Sequence, residues 1–274
     1  VETRWVTAGY IEYVLTTDRF AEVRAELAAS AVRLNEDLTP ICYYYNLALW
    51  FSRFSSSLWG AFQSAGLLNL WWVIAPLALI VLLVRRKRRW TVPFAVATVG
   101  LAEMMLEVVI LFAFQVLHGT VYTEISLIVS AFMAGLALGG AAGQRLAARG
   151  QPSAVGGGAA GRALIAVQGG VVVYSGVFPF ILSLPIPVPT LVFPLLALVM
   201  GALTGMAFPL ALARMGGSAS RAAGVLYGAD LVGGCMGALL GAVLLVPVLG
   251  IPQTCAAVAI VGLAGLLALA PPPR

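Results

Sequence analysis

Residues 85–117 read RRKRRWTVPFAVATVGLAEMMLEVVILFAFQVL. Five basic residues, Arg85, Arg86, Lys87, Arg88 and Arg89, stand in a row, and an apolar run over 93–117 follows. At about 1.5 Å per helical residue, such a run crosses the ~30 Å hydrocarbon core of a bilayer. The basic block beside it reads as a topology determinant, because Lys and Arg collect on the cytoplasmic side of spanning helices. Working outward, six more runs have the same character: 67–84, 121–144, 162–183, 188–213, 222–247 and 252–270. The chain is therefore predicted to be an all-α integral membrane protein with about seven transmembrane helices. The first run is the shortest, with Trp71 and Trp72 near its outer end, where aromatic residues favour the headgroup level. Pro76, Pro179, Pro194 and Pro209 fall in or near spans, where each removes a backbone donor and favours a kink.

Composition agrees. The 274 residues are 61% hydrophobic and 10% charged, with mean hydropathy +0.99. A soluble globular chain carries roughly 25% charged residues. The net charge of +5 does not point to nucleic acid, because its largest block abuts a span. The lipid bilayer is the expected partner. Cys42, Cys235 and Cys255 are far apart and outside any CxxC or Cys/His cluster, so no metal or redox site is expected. No basic segment leads into an early apolar stretch, so no signal peptide is expected. The start at Val1 fits processing or a piece of a longer protein.

Orientation follows from the loops. Residues 85–90 carry five Lys/Arg, 145–162 carry Arg145, Arg149 and Arg162, and 214–221 carry Arg214 and Arg221; the alternate loops 118–120, 184–187 and 248–251 carry none. The basic loops and the C-terminus are expected in the cytoplasm, and the segment before the first span outside it.

The first 66 residues are expected to be a soluble or interfacial segment rather than a complete domain, because about forty residues with one helix and one strand cannot build a core of their own. Residues 5–15 mix β-branched and aromatic residues and suggest a strand. Residues 19–29, after Thr17-Asp18, place Phe20, Val23 and Leu27 on one side of an amphipathic helix. Residues 35–40 read as a turn. Tyr43, Tyr44, Tyr45, Trp50, Phe51, Phe54, Trp59 and Phe62 then crowd one stretch, suited to an interfacial aromatic belt or to the wall of a ligand pocket.

Acids inside the spans are the main candidates for chemistry. Glu103 and Glu107 share one face of the second span, and Asp230 sits well inside the sixth. Each costs ~2.5–3.5 kcal/mol at the bilayer centre on insertion scales, so such residues face the bundle interior and find partners. They suit either a cation or proton site, or buried acids bonded to a neighbouring helix. Glu124 and His118 lie near the outer surface and are expected to be solvated. Gly135, Gly139 and Gly143, then Gly201 and Gly205, then Gly233, Gly237 and Gly241, recur at four-residue spacing, which allows close backbone packing. GLALG at 135–139 and GALTG at 201–205 suggest a weak internal repeat. Gly156, Gly157 and Gly158 lack a P-loop pattern and read as a flexible linker.

Two groups of residues resemble one family. DLTP at 37–40 with YYYN at 43–46 is similar to the C-terminal end of spermidine synthase-like (polyamine aminopropyltransferase) domains, and Asp37, Tyr44, Tyr45 and Asn46 carry the match. FMAGLALG at 132–139, GMAFP at 205–209, GVLYGADLVG at 224–233 and PVLG at 247–250 resemble the bundle fused to such domains in bacterial membrane-bound spermidine synthase-like proteins. The likeness covers most of residues 35–250. It implies a short α/β remnant of a Rossmann-like domain at 1–46, an aromatic interfacial segment at 47–66 and a transmembrane bundle at 67–270, in the inner membrane of a bacterium. The family's soluble domain uses decarboxylated S-adenosylmethionine to transfer an aminopropyl group to an amine. Its nucleotide loop and acidic residues lie upstream of this tail, so the resemblance implies no catalytic residue and no bound cofactor in this chain. A His that follows the tyrosine motif in the soluble enzymes is missing here, and the expected orientation puts the tail outside the compartment that holds the cofactor. Three functions are carried forward: the membrane part of such a protein, not catalytic alone; a transporter of a small cation or polyamine through Glu103, Glu107 and Asp230; and a structural subunit that docks other membrane subunits.

Overall fold

The computed structural model describes residues 7–16, 19–29, 35–36, 38–53, 71–119, 122–149, 158–184, 189–215 and 218–270. These are helical almost throughout, and no strand occurs among them. The chain divides into two compact units, Val1–Leu34 and Asn35–Arg274.

The first unit holds α1 (Ala8–Thr16) and α2 (Arg19–Ala29). The second is the expected amphipathic helix. The first replaces the expected strand over residues 5–15. A lone strand leaves its N–H and C=O groups without a ladder partner, whereas a helix pairs them within the segment. With no other strand among the described residues, the helix wins despite its β-branched and aromatic content.

The second unit begins with the predicted turn, closed by Thr39 N–H donating to the Glu36 carbonyl at 3.0 Å. Asn35 Oδ1 accepts from Cys42 N–H at the start of α3 (Ile41–Ser52) at 3.0 Å. The bundle follows: α4 (Trp71–Arg86), α5 (Thr91–His118), α6 (Tyr122–Arg149), α7 (Ala159–Leu182), α8 (Pro189–Gly205), α9 (Ala207–Arg214), α10 (Ala219–Leu240), α11 (Val246–Leu249) and α12 (Ile251–Leu269). A π-helical turn, Gly241–Leu245, joins α10 to α11. Among the described residues, six stretches are long and apolar enough to cross a membrane: Arg88–His118, Tyr122–Arg149, Ala159–Leu182, Pro189–Arg214, Ala219–Leu249 and Ile251–Leu269. They match the second to seventh predicted runs and suit a multi-pass membrane protein. The first run enters as α4, whose 16 residues rise about 24 Å, short of the ~30 Å core. Residues 67–70 of that run, and 54–66 of the aromatic segment, lie outside the described residues.

Lipid offers helices no hydrophobic reason to associate, so the bundle depends on close packing of small residues. Gly135 and Gly139 of α6 abut Leu198 and Ala202 of α8, while Gly201 and Gly205 of α8 abut Phe132 and Leu136 of α6. Residue numbers rise together along this contact, so the two helices run parallel. The glycine pairs that resemble a repeat in sequence are thus the two sides of one interface. Gly233 and Gly237 of α10 abut Ala97 and Leu101 of α5, again in parallel. α12 packs on α5 and α7, and α9 on α6 and α7.

The interior has two apolar cores. One holds Val96, Val99, Leu164, Val167, Leu210 and Leu226, toward the helix ends that carry the basic residues. The other holds Leu106, Ile110, Val171, Phe178, Phe193 and Val258, toward the opposite end. Along α7, α8–α9 and α10, the polar residues Gln168, Thr204 and Asp230 fall between the two, and on α5 Thr98 lies at the inner edge of the first. Pro76, Pro179 and Pro194 lie inside uninterrupted helices, so the kinks expected there do not break them. Pro209 does follow an interruption: α8 ends at Gly205, Met206 is a turn, and α9 begins at Ala207. Proline at 209 has no N–H to give the Gly205 carbonyl four residues back, which uncouples the two helical pieces.

Candidate functional site

Asp230 lies at the level between the two cores, Glu103 at the start of the second core on α5, and Glu107 one turn further into it. Glu103 and Glu107 lie one turn apart on α5, each partly buried. α10 brings Asp230 over the gap that Gly100 leaves in α5: a Cβ added at Gly100 would lie 2.6 Å from the Asp230 backbone oxygen and 2.7 Å from its Oδ1. A side chain at position 100 would hold α10 away and separate the acids. Asp230 and Glu107 are the neighbouring acidic groups that act on Glu103. From the third side, Thr204 of α8 turns its side chain toward Glu103, close enough to act on its carboxyl. The Thr204 hydroxyl also lies 3.2 Å from the carbonyls of Met200 and Gly201. It sits two residues before the break at Met206. Discontinuous helices often build ion and substrate sites near the bilayer midplane, because freed backbone groups then face the site. Gln168, Thr204 and Asp230 lie about ten residues, roughly 15 Å, from the basic ends of their helices, with Thr98 nearer that end and Glu103 further from it.

The cluster is acidic without a matching cation in the spans. No Lys or Arg occurs at 91–144, 163–213 or 222–270, so no basic side chain arises from the middle of a span. Among the described residues no three His, Cys, Asp or Glu side chains come together as a metal cage. Three carboxyls with one hydroxyl nearby suit a monovalent or organic cation better than a dehydrated divalent ion, which takes six or more oxygens.

Behind the acids, Gln168 of α7 locks three helices together. Its Nε2 donates to Thr98 Oγ1 of α5 at 2.9 Å and to the Gly262 carbonyl of α12 at 3.3 Å, and Thr98 donates to the Ala95 carbonyl at 2.7 Å. Gly265 makes room for the amide, while Gly262 abuts Val172. Gln168 Oε1 is buried with no hydrogen-bond partner. At the basic end, Arg214 donates to the Leu269 carbonyl at 3.3 Å, which closes the C-terminus of α12.

The sequence candidates divide accordingly. Glu103, Glu107 and Asp230 are brought together; Thr204, Gly100, Thr98 and Gln168 were missed, although a polar residue inside an apolar run is a visible signal for three of them. Gly135, Gly139, Gly201, Gly205, Gly233 and Gly237 each abut the backbone of a neighbouring helix. His118 ends α5 rather than lying in a loop; it is exposed and stacks on Phe114 with centroids 5.6 Å apart. Glu124, expected in solvent, has one carboxylate oxygen buried without a hydrogen bond. Of the tail motif, Asp37 lies outside the described residues, Tyr44 is buried in the core away from the basic ends, and Tyr45 and Asn46 are exposed. Tyr43 presents an edge to Phe112 with centroids 5.7 Å apart.

No protein family, curated protein or solved structure matches this chain. The reading of the site therefore rests on its own geometry.

Proposed function

We propose that the bundle is a carrier for a small cation, an organic ammonium or polyamine among the candidates, with Glu103, Glu107, Asp230 and Thr204 as its binding site. The observation that carries this is the convergence of acids from two helices near a hydroxyl beside a helix break, with no Lys or Arg in the middle of any of these spans. Intramembrane acids mark ion and substrate pathways, and a carboxyl holds either an ammonium or a proton, which allows one to be exchanged for the other. The basic ends of the spans would face the cytoplasm of a bacterial cell by the positive-inside rule. The test is uptake of labelled spermidine and of monovalent cations into proteoliposomes that hold the full chain. Glu103→Gln and Asp230→Asn should each abolish uptake of the transported ion; unchanged uptake in both variants would overturn the proposal.

A second reading is favoured by one observation: residues 38–52, which carry YYYN, belong to the same compact unit as the bundle. That suits the membrane part of a spermidine synthase-like protein, in which the end of the soluble domain is anchored on its bundle. An intact mass well above 28.6 kDa for the protein taken from its native membrane would support this reading; a mass equal to it would remove it.

A further inference from the structure

The packing of the bundle repeats itself. On α10, Gly233 abuts the carbonyl of Ala97, Gly237 that of Leu101, and Gly241 the side chain of Met105. On α6, Gly135 abuts the carbonyl of Leu198, Gly139 that of Ala202, and Gly143 the backbone of Met206. The reverse contacts match too: Gly100 abuts the carbonyl of Asp230, and Gly201 that of Phe132. One correspondence, in constant register, accounts for all of these contacts. It exchanges α5 with α8 and its continuation, and α6 with α10. The helices left over, α7 and α12, pack on each other as such an exchange requires. Sequence carries the same relation, with GLALGGAAG at 135–143 against GGCMGALLG at 233–241. Each half has three spans, so the second half lies inverted relative to the first.

We infer that residues 91–182 and 189–269 are two inverted copies of one three-helix unit, and that the acid site on their axis has two symmetry-related access grooves, one open and one closed by the segment 38–44. The correspondence carries Glu103 onto Thr204 and Thr204 onto Glu103, so the two positions are related by the axis that runs between them. The first groove, about 530 Å³, is lined by Gly140, Gln144, Gly205, Phe208 and Leu212 and opens near the basic end, next to Thr204. Its counterparts toward the other end are Ala238, Ala242, Met104, Glu107 and Leu111. There the aromatic tail intervenes: Tyr43 packs edge-on against Phe112, and Ile41 and Tyr44 share the core on which Leu111 and Phe112 pack. The segment is held in place by Ile251 N–H, which donates to the Leu38 carbonyl at 2.8 Å, and by the turn at Gly250 against Thr39. A site on an inverted-repeat axis, open toward one end and closed toward the other, is the arrangement that alternating access needs. This inference rests on the acid cluster being the substrate site, but its test does not measure transport.

Leu212→Cys and its counterpart Leu111→Cys are introduced separately into the full chain, with Cys42→Ser and Cys235→Ser in the background and the buried Cys255 retained. Both are labelled with a water-soluble maleimide in leaky membrane vesicles. Leu212→Cys should react about tenfold faster than Leu111→Cys, as expected where the open form of the second groove is a minor population. Adding Tyr43→Ala should raise the Leu111→Cys rate several-fold and leave the Leu212→Cys rate unchanged. If Tyr43→Ala fails to fold, Phe112→Ala removes the same ring pair from the bundle side. Equal rates at the two positions, no reaction at either, or no response to loss of the ring pair would overturn the inference. Glu103→Gln separates the two ideas: transport without any need for Glu103 removes the cation site, whereas the difference in labelling stands or falls independently.

Discussion

Replacing Gly100 with alanine would put a methyl carbon 2.6 Å from the backbone oxygen of Asp230 and 2.7 Å from its Oδ1. Ordinary contact begins near 3.4 Å, so the two helices must yield by about 0.7–0.8 Å. The closer obstacle is backbone and cannot swing aside as a side chain would. Overpacking of this kind costs about 1–3 kcal/mol. Alanine is the better helix former by about 1 kcal/mol, which offsets part of the cost and leaves Gly100→Ala about 0–2 kcal/mol less stable than the parent. Gly228 supplies the control. It lies on α10 two residues before Asp230, and an added Cβ there meets nothing within 4 Å. Gly228→Ala should show only the propensity gain and be about 1 kcal/mol more stable. Equilibrium unfolding in mixed detergent micelles should therefore separate the two variants by about 1–3 kcal/mol. Gly100→Ala should also weaken cation binding, because Asp230 is pushed away from Glu103. If Gly100→Ala is as stable as Gly228→Ala, the close approach of α5 and α10 is wrong, and so is the acid cluster built on it.

Other outcomes follow from single contacts. Gln168→Leu removes the bonds to Thr98 and the Gly262 carbonyl; it should cost about 0.6–2 kcal/mol in the same unfolding assay, the range for interhelical bonds in membranes. Gly250 has φ +81° and ψ 171°, a region almost reserved for glycine. Gly250→Ala should cost about 1–3 kcal/mol and speed hydrogen exchange over residues 38–45, while exchange in α6 and α8 stays as it was. Thr204→Val keeps the shape of the side chain and removes the hydroxyl, so cation affinity should fall by about tenfold, the worth of one good hydrogen bond, with little change in unfolding. Arg149→Cys, at the basic end of α6, should react with an impermeant thiol reagent only from the cytoplasmic side; reaction from the other side would reverse the orientation.

Much of the fold was legible before any packing was known. The stretch 93–117 declares itself a span because spanning depends on the summed apolarity of about twenty neighbouring residues. The acids at 103 and 107 share a face by helical periodicity alone. The candidates for close packing were also visible, since Gly135, Gly201 and Gly233 each start a four-residue series. Their pairing was not. Three helices carry the same small-residue pattern, and spacing cannot say which two meet. The similarity between 135–139 and 201–205 suggests a repeat, whereas these stretches face each other and the repeat relates 135–143 to 233–241. Residues 5–15 mislead for a related reason: strand propensity counts only where another strand is present to pair.

What sequence alone determined, then, is everything that depends on neighbours along the chain: the membrane class, the extent of the six long spans, the basic and non-basic ends, and the presence of acids within the apolar runs. Tertiary structure decided what those acids meet. Asp230 joins Glu103 across more than a hundred residues because Gly100 leaves a gap for α10, and the packing of α8 brings Thr204 close to Glu103. The physical difference is range. Insertion into lipid is a sum over consecutive residues, whereas a binding site is a coincidence of side chains from separate helices, set by which small residues let which backbones approach.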